Sequence, residues 1–190
     1  MKKLKIIFVS QKGLMHELVS AVVLAGTHSD KKFAGHTALF FPEVVDKAFN
    51  RHFENVVFEA VQPLVRFDVN GNKFDKEPNK CIIEIEVSEE RYQKAVEMAL
   101  RLEGRKYGLV TDCLATFITD NFNIQATKVI NCDYTFMCSE CVGLVFRNMF
   151  DNFYLETDLN TTSPIELYDM ILEFISKEKE IRLVSIIEEG

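Results

Sequence analysis

The chain has 190 residues, of which 47% are hydrophobic and 27% charged, and its formal net charge is -7. These values are typical of one globular domain, spanning residues 1–190, that buries a core without help from disulfides or metals. Affinity for nucleic acid or anionic lipid comes from clustered Lys and Arg, whereas here the cations are scattered through an acidic sequence. We therefore expect no nucleic acid partner.

The amino terminus begins like a signal peptide, but Gln11 and Lys12 interrupt its apolar stretch before an h-region is complete. No other apolar run approaches the ~18 residues that a membrane-spanning helix needs. The five cysteines, an odd number, fit a reducing compartment in which thiols stay free. We expect a cytoplasmic protein with no integral membrane segment and no disulfides.

Hydrophobic periodicity predicts that the first half of the chain consists mainly of strands. A strand at residues 5–9 precedes a helix from 14 to 25, which ends at Gly26. Further strands are predicted at 36–41, 55–61, 64–69 and 81–87. A segment that starts at Pro42 separates the second and third strands, and we expect these two strands to pair antiparallel.

The second half is predicted to be mainly helical. Ser88 is a suitable N-cap for a helix at 89–103, which Gly104 ends. Other helices are predicted at 109–122 and 138–150, and Ser163-Pro164-Ile165-Glu166 opens one more with a capping box and a proline at its first position. A strand at 181–187 follows. The pattern predicts an α+β fold with an antiparallel β-sheet packed against helices.

Cys138 is the first residue of the predicted helix at 138–150. The partly positive N-terminus of a helix favours thiolate over thiol. Cys138 shares an apolar helical stripe with Val142, Val145 and Met149, and an arbitrary cysteine on such a stripe more often serves packing. Its position beside the unpaired N–H groups of the helix start favours a nucleophile instead, whereas Cys141 lies one turn deeper and is predicted to pack.

His36 and Glu59 are the predicted partners of this thiol. His36 begins one strand and Glu59 comes late in the next, so antiparallel pairing places the two residues opposite each other. A carboxylate in that position would fix the tautomer of the imidazole and stabilise its cation. For either residue alone, a hydrogen-bonded structural role is equally plausible. Taken together with Cys138, they favour a catalytic site.

The same residues resemble the circularly permuted branch of the papain-like NlpC superfamily of cysteine amidases and peptidases, which includes relatives of lecithin retinol acyltransferase. Members have a histidine at the start of a strand, a following strand that ends in Glu-Ala, a Gly-x-x-Tyr element and a later Cys-Ser-Glu. The matching positions, in the same order, are His36, Glu59-Ala60, Gly104-Arg105-Lys106-Tyr107 and Cys138-Ser139-Glu140.

The resemblance implies a permuted papain-like fold, in which a helical lobe carries the nucleophile. It also implies roles for single residues: Cys138 as nucleophile, His36 as general base, Glu59 as the polar third member and Tyr107 as a substrate-binding residue of the cleft. Gly35, Thr37 and Cys141 depart from the pattern, where relatives commonly have serine, an aliphatic residue and leucine. None of these departures removes a group that the chemistry needs.

The expected reaction is cofactor-free cleavage of an amide or ester bond in a small-molecule, peptide or lipid-acyl substrate, through a thioester on Cys138. An acyltransferase, a lipid thiol esterase or a non-catalytic binding protein on the same fold remains an alternative. So does zinc binding by Cys138 and Cys141, with Cys113 and Cys132 as further ligands, or a redox Cys-x-x-Cys pair. The sequence does not indicate the oligomeric state.

Overall fold

The computed structural model describes residues 1–10, 33, 35–108, 135–157, 159 and 162–189. The helices predicted at 14–25 and 109–122 lie outside this part of the chain. Within it, strands dominate the first half and helices the second, as the periodicity predicts. The elements in chain order are β1 (Lys2–Val9), β2 (His36–Asp46), β3 (Arg51–Val61), β4 (Leu64–Asp68), β5 (Lys80–Val87), α1 (Glu89–Leu102), β6 (Lys106–Tyr107), β7 (Thr135–Phe136), α2 (Cys138–Met149), α3 (Pro164–Lys177) and β8 (Arg182–Glu189).

The described strands form one sheet with the order β7-β6-β4-β3-β2-β1-β5-β8. Neighbouring strands run antiparallel except β6 and β7, which pair in parallel with Tyr107 opposite Phe136. The α+β class and the mainly antiparallel sheet are therefore confirmed. No helix in the described part of the chain is both long enough and apolar enough to cross a membrane.

The predicted break at Pro42 is wrong, because β2 and β3 continue past it as a long hairpin. Their register runs from Ala38 opposite Glu59 to Asp46 opposite Arg51. Proline lacks an N–H, so it removes one donor from the ladder without preventing the strand from continuing. The residue across from Pro42 in this register is Asn55, whose φ of 52° lies in the left-handed region. The proline and the left-handed residue thus face each other across the hairpin, and regular pairing continues on both sides of them.

The two faces of the sheet are covered differently. On one face Phe8, Leu39 and Phe58 belong to the main core, together with buried residues of all three helices. On the other face a smaller cluster contains Ile7, Val9, Ala38, Val57 and Phe74. Phe74 belongs to the loop between β4 and β5, residues 69–79, and this loop is the cover that hides part of the second face from water.

The helix boundaries follow the capping signals in the sequence. Ser88 Oγ accepts a hydrogen bond of 3.2 Å from the N–H of Arg91 at the start of α1. At the start of α3, Ser163 Oγ accepts from the N–H of Glu166 at 3.3 Å, and the Glu166 carboxylate accepts from the N–H of Ser163 at 2.7 Å. Gly104 has a φ of 81° just beyond α1, a conformation that glycine adopts without strain. These three predictions are confirmed.

Gly71 allows the 69–79 loop to lie against the sheet. A Cβ atom at this position would lie 2.3 Å from the backbone carbonyl oxygen of Asn55 and 3.0 Å from the ring of Phe40. Such a distance is far inside van der Waals contact, and the carbonyl belongs to β3 and cannot swing away as a side chain would. The close approach carries Lys73 and Phe74 over the sheet face that includes the start of β2.

We predict that Gly71→Ala lowers the free energy of unfolding by about 1–3 kcal/mol, because the added methyl group forces the loop or β3 to shift. Urea unfolding measures this loss. Asn72→Ala is the matched control, since Asn72 is an exposed neighbour in the same loop. Equal midpoints for Gly71→Ala and wild type would contradict the close approach.

Candidate active site

Cys138 and His36 meet at the beginning of β2. His36 is the first residue of that strand and Cys138 the first residue of α2, and the side chains form a hydrogen-bonded pair. Cys138 is 6% exposed and His36 1%. Cys138 belongs to the main core, on the helix side of the sheet. Alternation along β2 puts His36 on the other face, with Ala38. The contact between the two side chains therefore forms around the end of the strand.

The carboxylate of Glu59 forms a hydrogen bond with the other side of the imidazole ring. The distance between His36 Nε2 and Glu59 Oε2 is 3.3 Å. The predicted direct opposition is wrong in register, because Ala38 lies opposite Glu59 and His36 reaches it diagonally along the same face. Since Nε2 faces the carboxylate, Nδ1 is the ring nitrogen left for the sulfur of Cys138. The three predicted catalytic residues are thus brought together.

Two cations hold the second oxygen of the Glu59 carboxylate. Lys73 Nζ donates to Oε1, and Arg66 Nη2 donates to the same atom at 3.3 Å. Burial raises the pKa of Glu59, but hydrogen bonds from His36 and Lys73 and their positive charges outweigh burial and bring it down to about 2. Glu59 is therefore ionised throughout the physiological range.

The sequence interpretation missed both Arg66 and Lys73. Arg66 lies directly opposite Glu59 in the β3–β4 register, so extending the predicted hairpin across the turn at residues 62 and 63 would have found it. Lys73 comes from the 69–79 loop, where no periodic pattern fixes the direction of a side chain. Finding Lys73 required the loop conformation that Gly71 permits.

Phe74 covers the imidazole from the side of the 69–79 loop. Its ring centroid lies 5.9 Å from that of His36 with an interplanar angle of 49°, and Phe74 itself is 3% exposed. Lys73 Nζ lies 5.3 Å from the same ring of Phe74. An apolar cover of this kind excludes water, so the charges beneath it interact more strongly than they would in solvent.

Burial alone would favour the neutral forms of both Cys138 and His36. The negative sulfur and a hydrogen bond with it, followed by Glu59, overcome burial and raise the pKa of His36 to about 9. The pKa of the Cys138 thiol is lowered despite its burial, because the charge and hydrogen bond of His36 and the backbone N–H groups of Thr37 and Ser139 favour the thiolate. Both shifts, the raised pKa of His36 and the lowered pKa of Cys138, favour a thiolate beside an imidazolium.

The start of α2 is anchored by hydrogen bonds on both sides of Cys138. The N–H of Met137 donates to the Glu140 carboxylate at 3.2 Å, and the N–H of Cys141 donates to the carbonyl of Met137 at 3.0 Å. Ser139 Oγ donates to the carbonyl of Thr162 at 2.5 Å. These contacts fix the helix N-terminus, and with it the sulfur, relative to the end of β2.

Cys141 and Tyr107 stand outside this charged group. Cys141 is fully buried, and burial followed by nearby Glu140 raises its pKa well above that of an ordinary thiol, as suits a packing residue. Tyr107 is partly buried against the main core, on the strand that pairs with β7 just before Cys138. Its role in substrate binding stays a prediction. His52 is exposed and contacts Glu43, whereas His16 and His28 lie outside the described residues.

The side chains that could ligate a metal are dispersed in the described part of the chain. No group of three His, Cys, Asp or Glu side chains converges there. In the candidate site the ring of His36 stands between Cys138 and Glu59, so its two partners approach different nitrogens rather than a common point. Cys81, Cys138 and Cys141 form no disulfide within the described part of the chain. Cys113 and Cys132, the other proposed zinc ligands, lie outside the described part of the chain.

Comparison with known proteins identifies a shared fold. No protein-family model and no curated protein matches the chain. Among solved structures the chain is similar to the crystal structure of the metalloprotein yiiX from Escherichia coli O157:H7, described as DUF1105. The TM-score is 0.55 with 19% sequence identity, over 97% of this chain and 96% of the other. At this identity the similarity shows the fold over almost the whole length of both chains and does not extend to activity.

We predict that Glu59 contributes to acid sensitivity. Its folded pKa of about 2 lies below the ordinary value of 4.5, so its contribution is fully present above pH 4.5 and is lost as the pH falls toward 2. As the pH falls from 4.5 toward 2, the free energy of unfolding of Glu59→Gln should therefore decrease less than that of wild type. Urea unfolding at several pH values measures both. Glu54→Gln, an exposed position on the same strand, is the control and should keep the wild-type slope. Parallel slopes for wild type and Glu59→Gln would refute the charged contact.

Proposed function

We propose that the protein is a cysteine hydrolase of the papain-like type, which cleaves an amide or ester bond through a thioester on Cys138. The observation that carries the proposal is the continuous contact from Cys138 through His36 to Glu59. A thiol at a helix start, a histidine against it and a carboxylate behind the histidine are the three parts of an activated nucleophile. The charge state that these contacts favour, a thiolate beside an imidazolium, is the reactive one.

The first half of the proposed reaction forms the thioester. The thiolate of Cys138 attacks the carbonyl carbon, and the developing oxyanion accepts a hydrogen bond from the backbone N–H of Cys138. The imidazolium of His36 gives its proton to the leaving nitrogen or oxygen as the bond to the carbonyl carbon breaks. An amine or alcohol departs, leaving an acyl group on sulfur and a neutral imidazole.

The second half releases the acid. Neutral His36 takes a proton from a water molecule as its oxygen attacks the thioester carbon, and the carbon–sulfur bond then breaks. The products are a carboxylic acid and the restored thiolate–imidazolium pair. If an amine or alcohol attacks in place of water, the same steps make the protein an acyltransferase. The chemistry of the site permits both outcomes.

In the proposed reaction, Glu59 and the two cations that contact it position His36 and stabilise its charge. The carboxylate fixes the ring so that Nδ1 faces the sulfur, and it stabilises the imidazolium that donates the proton. Arg66 and Lys73 donate to its second oxygen, and Lys73 helps His36 to keep the carboxylate ionised. The resemblance to the permuted NlpC superfamily supports the same assignment, because it matches His36, Glu59 and Cys138 in their order along the chain.

The proposal predicts the pH profile of Cys138 alkylation. In wild type, iodoacetamide should label Cys138 readily near neutral pH, because His36 stabilises the thiolate. In His36→Ala the profile should shift toward the ordinary thiol range near pH 9, with at least a tenfold lower rate at pH 7. Peptide-resolved mass spectrometry separates Cys138 from the other four cysteines of the chain.

Cys141→Ser is the matched control, since it removes a thiol one turn away and leaves the pair intact. It should keep the wild-type profile at Cys138. Slow labelling of wild-type Cys138 at neutral pH, unchanged by His36→Ala, would defeat the proposal. Acetylation by p-nitrophenyl acetate then tests the thioester, which should appear as an acetyl adduct on Cys138 and be absent in Cys138→Ser. Adding a primary amine distinguishes hydrolysis from acyl transfer by the product formed.

Metal binding is tested in the same preparations. The structural neighbour is titled a metalloprotein, and the chain's thiols supply zinc's preferred ligand type. Metal analysis of the purified protein should find no stoichiometric metal that depends on Cys138. One equivalent of zinc, lost in both Cys138→Ser and Cys141→Ser, would replace the hydrolase with a zinc-binding protein.

A further inference from the structure

Thr37 lies next to the reacting sulfur without any assigned role. It follows His36 on β2, and its backbone N–H points at the sulfur of Cys138. Side chains alternate along a strand, so the Thr37 side chain lies on the opposite face of the sheet from His36. This is the face of the main core, to which Cys138 belongs. The Thr37 hydroxyl is bonded to the Cβ of the same residue, so covalent geometry keeps it within about 4 Å of the nitrogen that donates to the sulfur.

The hydroxyl of Thr37 has no hydrogen-bond partner among the residues that the structure describes. The residue is 0% exposed, and Oγ1 is one of the buried side-chain atoms in the described part of the chain that make no hydrogen bond. A buried hydroxyl without a partner destabilises a fold by roughly 1–3 kcal/mol. Valine has nearly the same shape and would avoid this loss. A polar atom held idle beside a nucleophile indicates a partner that is present only during the reaction.

We propose that the Thr37 hydroxyl is the second oxyanion donor of the site, acting with the backbone N–H of Cys138. In the tetrahedral intermediate the carbonyl carbon is bonded to both the sulfur and the oxyanion. The oxyanion is therefore close enough to the sulfur to contact the groups that surround it. The hydroxyl donates a hydrogen bond to the oxyanion and keeps its proton, so no bond of Thr37 is made or broken. The donor is idle in the resting enzyme and engaged in the tetrahedral intermediate, which is the differential stabilisation that speeds a reaction.

This inference rests on the proposed hydrolase, and the experiment separates the two. Alkylation by iodoacetamide displaces iodide at a saturated carbon and forms no oxyanion, so it reports only the thiolate. Acetylation by p-nitrophenyl acetate passes through a tetrahedral oxyanion and reports the donors as well. Both rates are measured at Cys138 by mass spectrometry in wild type, Thr37→Val and Thr37→Ser. Urea unfolding of the three proteins is measured alongside.

Thr37→Val should alkylate at the wild-type rate, because the backbone N–H and the pairing with His36 are unchanged. Its acetylation rate should fall by about 10²-fold, the loss typical of removing one oxyanion donor. It should unfold at the same or a higher urea concentration, since the substitution removes an unpartnered buried hydroxyl. Thr37→Ser keeps the hydroxyl and should retain most of the acetylation rate.

Acetylation of Thr37→Val at the wild-type rate would overturn the inference while leaving the hydrolase in place. Equal losses of alkylation and acetylation would also overturn it, because the residue would then support the thiolate rather than the oxyanion. Failure of wild-type Cys138 to alkylate near neutral pH would remove the proposed function itself, and the second donor with it. The stability measurement separates a misfolded variant from one that has lost only a donor.

Discussion

The arrangement of this protein depends on one buried row of alternating charges. Arg66 and Lys73 contact Glu59, Glu59 contacts His36, and His36 contacts Cys138. Any one of the inner charges, buried alone, would be neutralised by a shift in its pKa. In the row, each charge is flanked by charges of opposite sign, and only the outer cations reach solvent. The thiolate can therefore exist at a position that is 6% exposed.

Only a few elements of the fold supply the residues of this row. The β2–β3 hairpin sets His36 and Glu59 on the same face with a diagonal spacing, and β4 adds Arg66 opposite the carboxylate. The loop of residues 69–79 supplies the second cation together with the aromatic cover. The sulfur comes from the other face, carried by the first residue of α2. The site thus lies where the two layers meet at the end of a strand, so neither layer alone contains it.

The main elements could be predicted because they depend on local signals. Ser88 and Ser163 cap helices in the structure as they do in the sequence pattern, and Gly104 ends α1. Pro42 misled the prediction, since a proline ends a strand only where its missing N–H is needed. Glu59 was expected opposite His36, but strand register is set by pairing over the whole hairpin, which a single sequence does not show. The direction of Thr37 follows from alternation, but its unpartnered hydroxyl becomes visible only once its neighbours are placed.

The parallel pairing of β6 with β7 ties the start of α2 to one edge of the sheet. Tyr107 lies opposite Phe136, two residues before Cys138, and the neighbouring Lys106 pairs with Leu64 of β4. β4 carries Arg66, which donates to Glu59 at the outer end of the charged row. Backbone pairs therefore hold the cation at one end of the row and the thiol at the other to the same edge of the sheet. A slip in the pairing of β6 would move Cys138 relative to His36 without changing any residue of the row, so two strands of two residues each set the alignment of the whole site.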